Sequence, residues 1–270
     1  MNILQAIILG ILQGATEFIP VSSSAHLVLV PWALGWPEPG LAFDTVLHLG
    51  TLTAVLVVLR DDWLSLLRAM WRQIVLRQGE RSQVSLAVWL IIGTVPAAIM
   101  GILWEDQFEA LFHSPKSVAA LLIVTGLWLA LVERLGHKTR PLADMNPLKA
   151  VLIGIAQGCA IAPGISRSGA TIGAALLLGF RREVAARFSF LLSAPIILGA
   201  GLLQLKQLMD EPSVQVPLWP LVLGFLAALV SGYVCIRFLL SFVKTRSLSV
   251  FAAYCCIVGL GVMLSQMVLA

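Results

Sequence analysis

The sequence predicts an all-α polytopic membrane protein with six transmembrane helices and two re-entrant helical hairpins in an inverted-topology repeat. Three observations lead there. Hydrophobic residues make up 59% of the 270 and charged residues 12%, with a mean hydropathy of +0.94. Two stretches share one plan: Gly10-Ile11-Leu12-Gln13-Gly14 and Gly154-Ile155-Ala156-Gln157-Gly158 match at four of five positions, 144 residues apart, and Pro20/Pro163 and Ser23/Ser166 match at 143. Fifteen of the eighteen Lys and Arg residues fall in four groups, and basic residues accumulate in cytoplasmic loops.

The first element, about 3–34, is apolar but broken by Pro20 and Ser22-Ser23-Ser24, and reads as a hairpin. Apolar spans follow near 41–59, 86–104 and 118–133, each close to the roughly 20 residues that cross hydrocarbon. The longest polar loop, about 60–85, is too short for a soluble domain. The second motif stretch, 150–180, is basic on both flanks: Arg134, Lys138, Arg140 and Lys149 precede it, and Arg181, Arg182 and Arg187 follow. It therefore enters and leaves on the cytoplasmic side. Two crossings need about 40 apolar residues, and this stretch has about 30. A re-entrant hairpin with Pro163-Gly164 near its tip satisfies both limits, provided the irregular backbone is buried in protein or lines a wet cavity. Spans near 188–205, 217–236 and 248–268 complete the six.

Arg60, Arg68, Arg72, Arg77 and Arg81, with Arg237, Lys244 and Arg246, form the remaining basic groups. If the first hairpin re-enters as the second does, every basic loop is inside. The loops holding Glu38, Glu105-Asp106-Glu109 and Asp210-Glu211 are then outside, as are both termini. The hairpins insert from opposite faces. The expected organisation is one integral membrane domain, 1–270, with repeat halves of about 1–135 and 145–270.

The net charge of +4 is cytoplasmic loop bias, so no nucleic-acid partner is expected. Cys159, Cys235, Cys255 and Cys256 lie in apolar stretches without metal spacing and read as membrane-buried small hydrophobes. The N-terminus has no basic region before its apolar run, so no cleaved signal peptide is expected. Trp63, Trp71, Trp104 and Trp219 lie near span ends, as interfacial tryptophans do.

A charged side chain at bilayer depth costs at least about 2.5–3.5 kcal/mol on insertion scales, so each normally has a partner or a task. One hairpin supplies Glu17 and His26, the other Arg167. A buried ion pair locking the halves is one reading, but the neighbours of Arg167 add a second. Pro163-Gly164 followed by Ser166-Arg167-Ser168-Gly169 and Thr171 reads as a loop opening a half-helix, with free N–H groups and a positive dipole end. Hydroxyls and a guanidinium fork complete an anion cradle suited to phosphate. Gln13 and Glu17, four apart, share a helix face and can meet a divalent metal or phosphate-bound water. A carboxylate beside an imidazole and a serine can activate a nucleophile or position water. Asp44 and His48, also four apart, read as a local interfacial pair, and His113 and His137 as solvated loop residues.

Through the segments 13–27 and 163–171 the chain resembles the undecaprenyl-diphosphate phosphatase family, the bacitracin-resistance membrane proteins of bacteria. Phe43-Asp44 through His48-Leu49-Gly50, Gly93-Thr94-Val95-Pro96 and 188–192 are also similar to family segments. The resemblance implies hydrolysis of a polyprenyl diphosphate lipid to the monophosphate, which recycles the carrier for peptidoglycan precursors. It implies a divalent cation, Mg²⁺ or Ca²⁺, and a multi-pass protein of the bacterial inner membrane whose site opens to the periplasmic side. A homodimer is compatible with it. The family's (E/Q)xxxE motif falls on Gln13 and Glu17, where many members have Glu first. Its serine pair falls on Ser22 and Ser23, its histidine on His26, and its PGxSRSxxT motif on Pro163 to Thr171. Glu17, Ser23, His26 and Arg167 are thus the expected catalytic groups, with Glu17 a candidate metal ligand. Gln13, Ser22, Gly164, Ser166, Ser168 and Thr171 are the expected substrate contacts. Ser23, His26 and water all remain open as the nucleophile. A carrier or flippase for phosphate or prenyl phosphates fits the same architecture.

Overall fold

Backbone groups in hydrocarbon must be bonded within their own segment, which leaves helices as the economical solution for a chain this apolar. The computed structural model describes residues 1–210 and 217–269; Glu211 of the third acidic loop and the C-terminal Ala270 lie outside them. Among the described residues there are twelve α-helices and no strand beyond a single bridge. In order they are α1 (Ile3–Phe18), α2 (Ser23–Leu34), α3 (Leu41–Val58), α4 (Arg60–Trp71), α5 (Arg81–Leu103), α6 (Glu105–Phe112) and α7 (Pro115–Leu135). Then come α8 (Pro147–Cys159), α9 (Arg167–Leu177), α10 (Arg182–Asp210), α11 (Leu218–Phe242) and α12 (Ser249–Leu269).

Six of these, α3, α5, α7, α10, α11 and α12, are long and apolar enough to cross a membrane, so this is a multi-pass membrane protein. Both motif stretches instead form pairs of short helices, α1–α2 and α8–α9. Helices α5 and α10 begin at Arg81 and Arg182, several residues before the apolar runs. Their first turns carry arginines that can extend toward the headgroups.

Segment 60–85 differs from the expected polar loop. It holds α4 and one π-helical turn, Arg72–Leu76. Leu66 and Ala69 are buried where α4 packs on α5, while Leu64, Leu67 and Trp71 face outward.

Helix α1 packs on α11, α8 on α5, and α7 on α12; α3 lies against α10 and α11, and α9 between α7 and α10. The two GIxQG motifs have a packing reason. A Cβ on Gly10 would run into the Gly224 carbonyl oxygen, one on Gly14 into that of Ala228, and one on Gly154 into that of Gly93. Small residues let membrane helices approach this closely. Phe18 then packs edge-on against Phe190 at 5.3 Å between centroids, fixing the end of α1 beside α10. At the far end of α7, Glu133 accepts from Arg182 Nε (2.8 Å) and Nη2 (2.6 Å), from Lys138 Nζ (2.9 Å) and from the Leu248 amide (3.1 Å). That one carboxylate joins α7, α10 and the start of α12.

Candidate active site

The first motif folds as a helix, a sharp bend and a second helix. α1 stops at Phe18 because Pro20 cannot donate and disfavours helical backbone at Ile19, which is extended at φ −65°, ψ 133°. Ser22 takes φ 68°, an unusual left-handed conformation for a serine, and caps α2 by accepting from the Ala25 amide at 3.3 Å. Ser23 is then the first residue of α2 and turns back over the end of α1. Its hydroxyl donates to Glu17 Oε2. Gln13, one turn earlier on the buried face of α1, donates Nε2 to the same oxygen at 3.0 Å.

The other oxygen of Glu17 faces the second motif: Arg167 Nη2 donates to Oε1 at 2.6 Å. The Glu17 side chain is only 5% exposed and that of Arg167 17%, so the carboxylate and guanidinium of the two motifs meet deep inside the protein. Two polar atoms beside this pair are buried without any hydrogen-bond partner, Gln13 Oε1 and Arg167 Nη1. One is an acceptor and the other a charged donor. Such groups are costly to leave unpaired.

The remaining residues of the second motif are tied into a frame. Gly164 sits at φ +105°, and a Cβ there would lie 2.5 Å from the Val118 carbonyl oxygen. Its amide donates to Ser24 Oγ (3.4 Å), and its carbonyl accepts from Thr125 Oγ1 (2.9 Å), which in turn accepts from the Ser166 amide (3.1 Å). Ser166 caps α9 through the Gly169 amide at 3.1 Å. Ser168 donates to the Ile19 carbonyl at 3.4 Å, linking the two bends. Thr171 donates to the Arg167 carbonyl (2.8 Å) and meets Ser189 Oγ (2.6 Å). Of the residues expected to bind substrate, Ser166, Ser168 and Thr171 are thus buried with hydroxyls already engaged by protein groups. The cap serines Ser22 and Ser166 are 144 residues apart, the GIxQG offset. Helix register therefore pairs Ser23 with Arg167, rather than with Ser166.

His26 does not touch Glu17 by any hydrogen bond. Its Nδ1–H donates to the Ser22 carbonyl at 2.7 Å, and Nε2 accepts from the Tyr254 hydroxyl at 2.7 Å, with the rings stacked at 5.7 Å. Tyr254, on α12, carried no signal in the sequence. His48 pairs locally with Asp44, as the spacing suggests, but not through the Asp44 carboxyl. Its Nδ1–H donates to the Asp44 carbonyl instead (2.8 Å), and Nε2 lies 4.0 Å from Glu17 Oε2. The i, i+4 spacing that suggested a side-chain pair is equally the spacing of a backbone bond.

A family model described as bacitracin resistance protein BacA matches residues 6–261. Among curated relatives, the undecaprenyl-diphosphatase of Moorella thermoacetica is 47% identical over 255 residues, covering 94% of each chain. That of Geobacter metallireducens is 47% identical over 266 residues, 98% of each. That of Rubrobacter xylanophilus is 48% identical over 257 residues, 94% of each. The chain belongs to the BacA family of bacitracin resistance proteins.

Proposed function

We propose that this chain is a membrane phosphatase that hydrolyses undecaprenyl diphosphate to undecaprenyl phosphate and orthophosphate, recycling the lipid carrier for peptidoglycan synthesis and giving bacitracin resistance. Relatives that match nearly its whole length carry the name undecaprenyl-diphosphatase. The observation that carries the mechanism is the buried Glu17–Arg167 pair with Ser23 on the carboxylate and an unpartnered Nη1 on the guanidinium. A lock between two halves would satisfy both faces of the guanidinium. An arginine with one face free is placed to take a phosphate oxygen.

In this reading the terminal phosphoryl group lies between Ser23 and Arg167, beside the positive N-terminal end of α9. Ser23 Oγ bonds to the terminal phosphorus as its proton passes to Glu17. The bond from that phosphorus to the bridging oxygen breaks, its electron pair leaves with the prenyl monophosphate, and Glu17 hands the proton to that oxygen. Water then attacks the phosphoserine, giving a proton to Glu17, which returns it to Ser23 Oγ as orthophosphate departs. Arg167 offsets the charge that gathers on the phosphoryl oxygens. His26, with both ring nitrogens engaged, holds the Ser22–Ser23 bend through the Ser22 carbonyl. Ser166, Ser168, Thr171 and Gly164 keep Arg167 at the bend of the opposite hairpin.

Mg²⁺ or Ca²⁺ fits this donor set. One free amide oxygen, Gln13 Oε1, and the Glu17 carboxylate, while it does not carry the Ser23 proton, would hold such an ion together with diphosphate oxygens. When bound, it neutralises charge on the diphosphate.

The two motif helix pairs are re-entrant hairpins of an inverted repeat, with halves of about 1–135 and 145–270. Two features support this. Arg140 bridges Phe180, and the Thr139 and Arg140 amides both donate to the Gly179 carbonyl at 2.9 Å, so the chain returns beside its point of entry. The packing of α1 on α11 is mirrored by that of α8 on α5. The protein lies in the bacterial inner membrane with both termini outside and the site open to the periplasmic leaflet, where the prenyl tail stays in lipid. Every group named comes from one chain, so a homodimer is not needed for the chemistry.

Phosphate release from undecaprenyl diphosphate by purified protein in detergent tests the reading, because detergent leaves no compartments for transport. Glu17→Ala and Arg167→Ala should each lose at least about a hundredfold, and Ser23→Ala at least about a thousandfold, with the fold retained. Near-normal turnover by the Ser23 variant would remove the serine from the covalent role.

A further inference from the structure

His48 presents something that His26 does not. A carbonyl oxygen only accepts, so the 2.8 Å contact with the Asp44 carbonyl puts the ring proton on Nδ1. Nε2 lies 4.0 Å from Glu17 Oε2, and in the neutral ring that nitrogen carries the lone pair. The ring is also open, with 35% of the side chain exposed against 5% for Glu17. A backbone acceptor on Nδ1 with Nε2 directed at a carboxylate-bearing cluster is the arrangement that orients metal-bound histidines. Gln13 supplies the second observation. It is fully buried, and Nε2 must face Glu17 because a carboxylate cannot donate. Oε1 is thereby fixed as an acceptor with no protein donor.

We propose that His48 Nε2, Glu17 and Gln13 Oε1 form a mixed nitrogen–oxygen donor set for one divalent cation, whose remaining positions go to diphosphate oxygens and water. The proposal rests on the diphosphatase reading and extends it by assigning a nitrogen ligand. Spacing permits it. Two donors each about 2.1 Å from an ion lie about 3.0 Å apart when adjacent and about 4.2 Å when opposite, and the 4.0 Å between His48 and Glu17 is close to the second, so the ion would lie between them. Among the described residues no three His, Cys, Asp or Glu side chains gather into a metal site. The amide oxygen and the substrate must therefore complete the shell, and the ion should bind weakly until a diphosphate is present. An imidazole in the set also shifts preference from Ca²⁺ toward Co²⁺, Ni²⁺ and Zn²⁺.

Electron spin-echo envelope modulation of Mn²⁺ reads this directly. The sample is tag-free full-length protein in detergent with Mn²⁺ and methylenediphosphonate. Wild type should show modulation from a coordinated imidazole nitrogen. The His26→Gln protein should keep it and the His48→Gln protein should lose it, with Mn²⁺ affinity lowered about tenfold. Bound Mn²⁺ without nitrogen modulation in wild type overturns the proposal, as does modulation that survives in His48→Gln or vanishes in His26→Gln. Failure of the wild type to retain Mn²⁺ overturns it too. The His26→Gln sample leaves His48 as the imidazole nearest Glu17, so the test stands even if His48→Gln does not fold. Failure of the diphosphatase reading is scored separately, as no phosphate release by Mn²⁺-loaded wild type whatever the nitrogen signal.

Discussion

Gln13 concentrates the physics of the site in one side chain. Its amide donates to Glu17 Oε2 at 3.0 Å and leaves Oε1 buried and unpartnered. A Gln13→Glu substitution keeps the shape but removes that donor, and sets a second buried carboxylate one helical turn from the first. Like charges so placed repel, and loss of the hydrogen bond adds about 1–3 kcal/mol. A divalent cation reverses the sign, because two carboxylates hold it better than one. The metal-free variant should therefore melt below wild type in detergent, and added Mg²⁺ should raise its midpoint by more than it raises that of wild type. Equal metal-induced shifts in the two proteins would place position 13 away from the cation.

Helix packing explains why the repeated motif is spelled with glycines. At Gly154 the obstacle to a Cβ is the Gly93 carbonyl oxygen, which is backbone and cannot move aside. At Gly158 it is the Met100 sulfur, part of a flexible side chain that can adopt another rotamer. Gly154→Ala should therefore cost about 2–3 kcal/mol, in the upper range of overpacking, and Gly158→Ala about 1 kcal/mol or less; thermal unfolding of both variants in detergent measures the difference. The motif was legible as a duplication, but its reason was not, since Gly93 is far from Gly154 in the chain. Six spans were legible because each is a long apolar run. Helix α4 was not, because arginines and aspartates interleave with its apolar residues and mask the face through Leu66 and Ala69. Glu17 and Arg167 stood out as charges inside apolar stretches. Tyr254 did not, and His48 stood out only as a neighbour of Asp44; each gains its place at the site only from helices brought against it.

Orientation is a property of the whole molecule, and the proposed topology makes the second motif its test. If 147–177 crossed the membrane completely, the residues just before and just after would lie on opposite faces. Thr139 and Arg140 instead bond to the Gly179 carbonyl at 2.9 Å, so the two flanks sit side by side. In the proposed topology the basic residues on both flanks put that place on the cytoplasmic face, and parity through α7, α5 and α3 puts Glu38 on the outer one. The expectation can be read in cells making a protein with its four native cysteines replaced. Single cysteines at Glu38, Thr139 and Glu183 sit at positions exposed enough for a maleimide. A membrane-impermeant maleimide should label Glu38→Cys in intact spheroplasts, and Thr139→Cys and Glu183→Cys only after permeabilisation. Labelling of Thr139→Cys and Glu183→Cys from opposite faces would mean that the second motif crosses, and Arg167 would then have to reach Glu17 from a full span instead of from the tip of a hairpin.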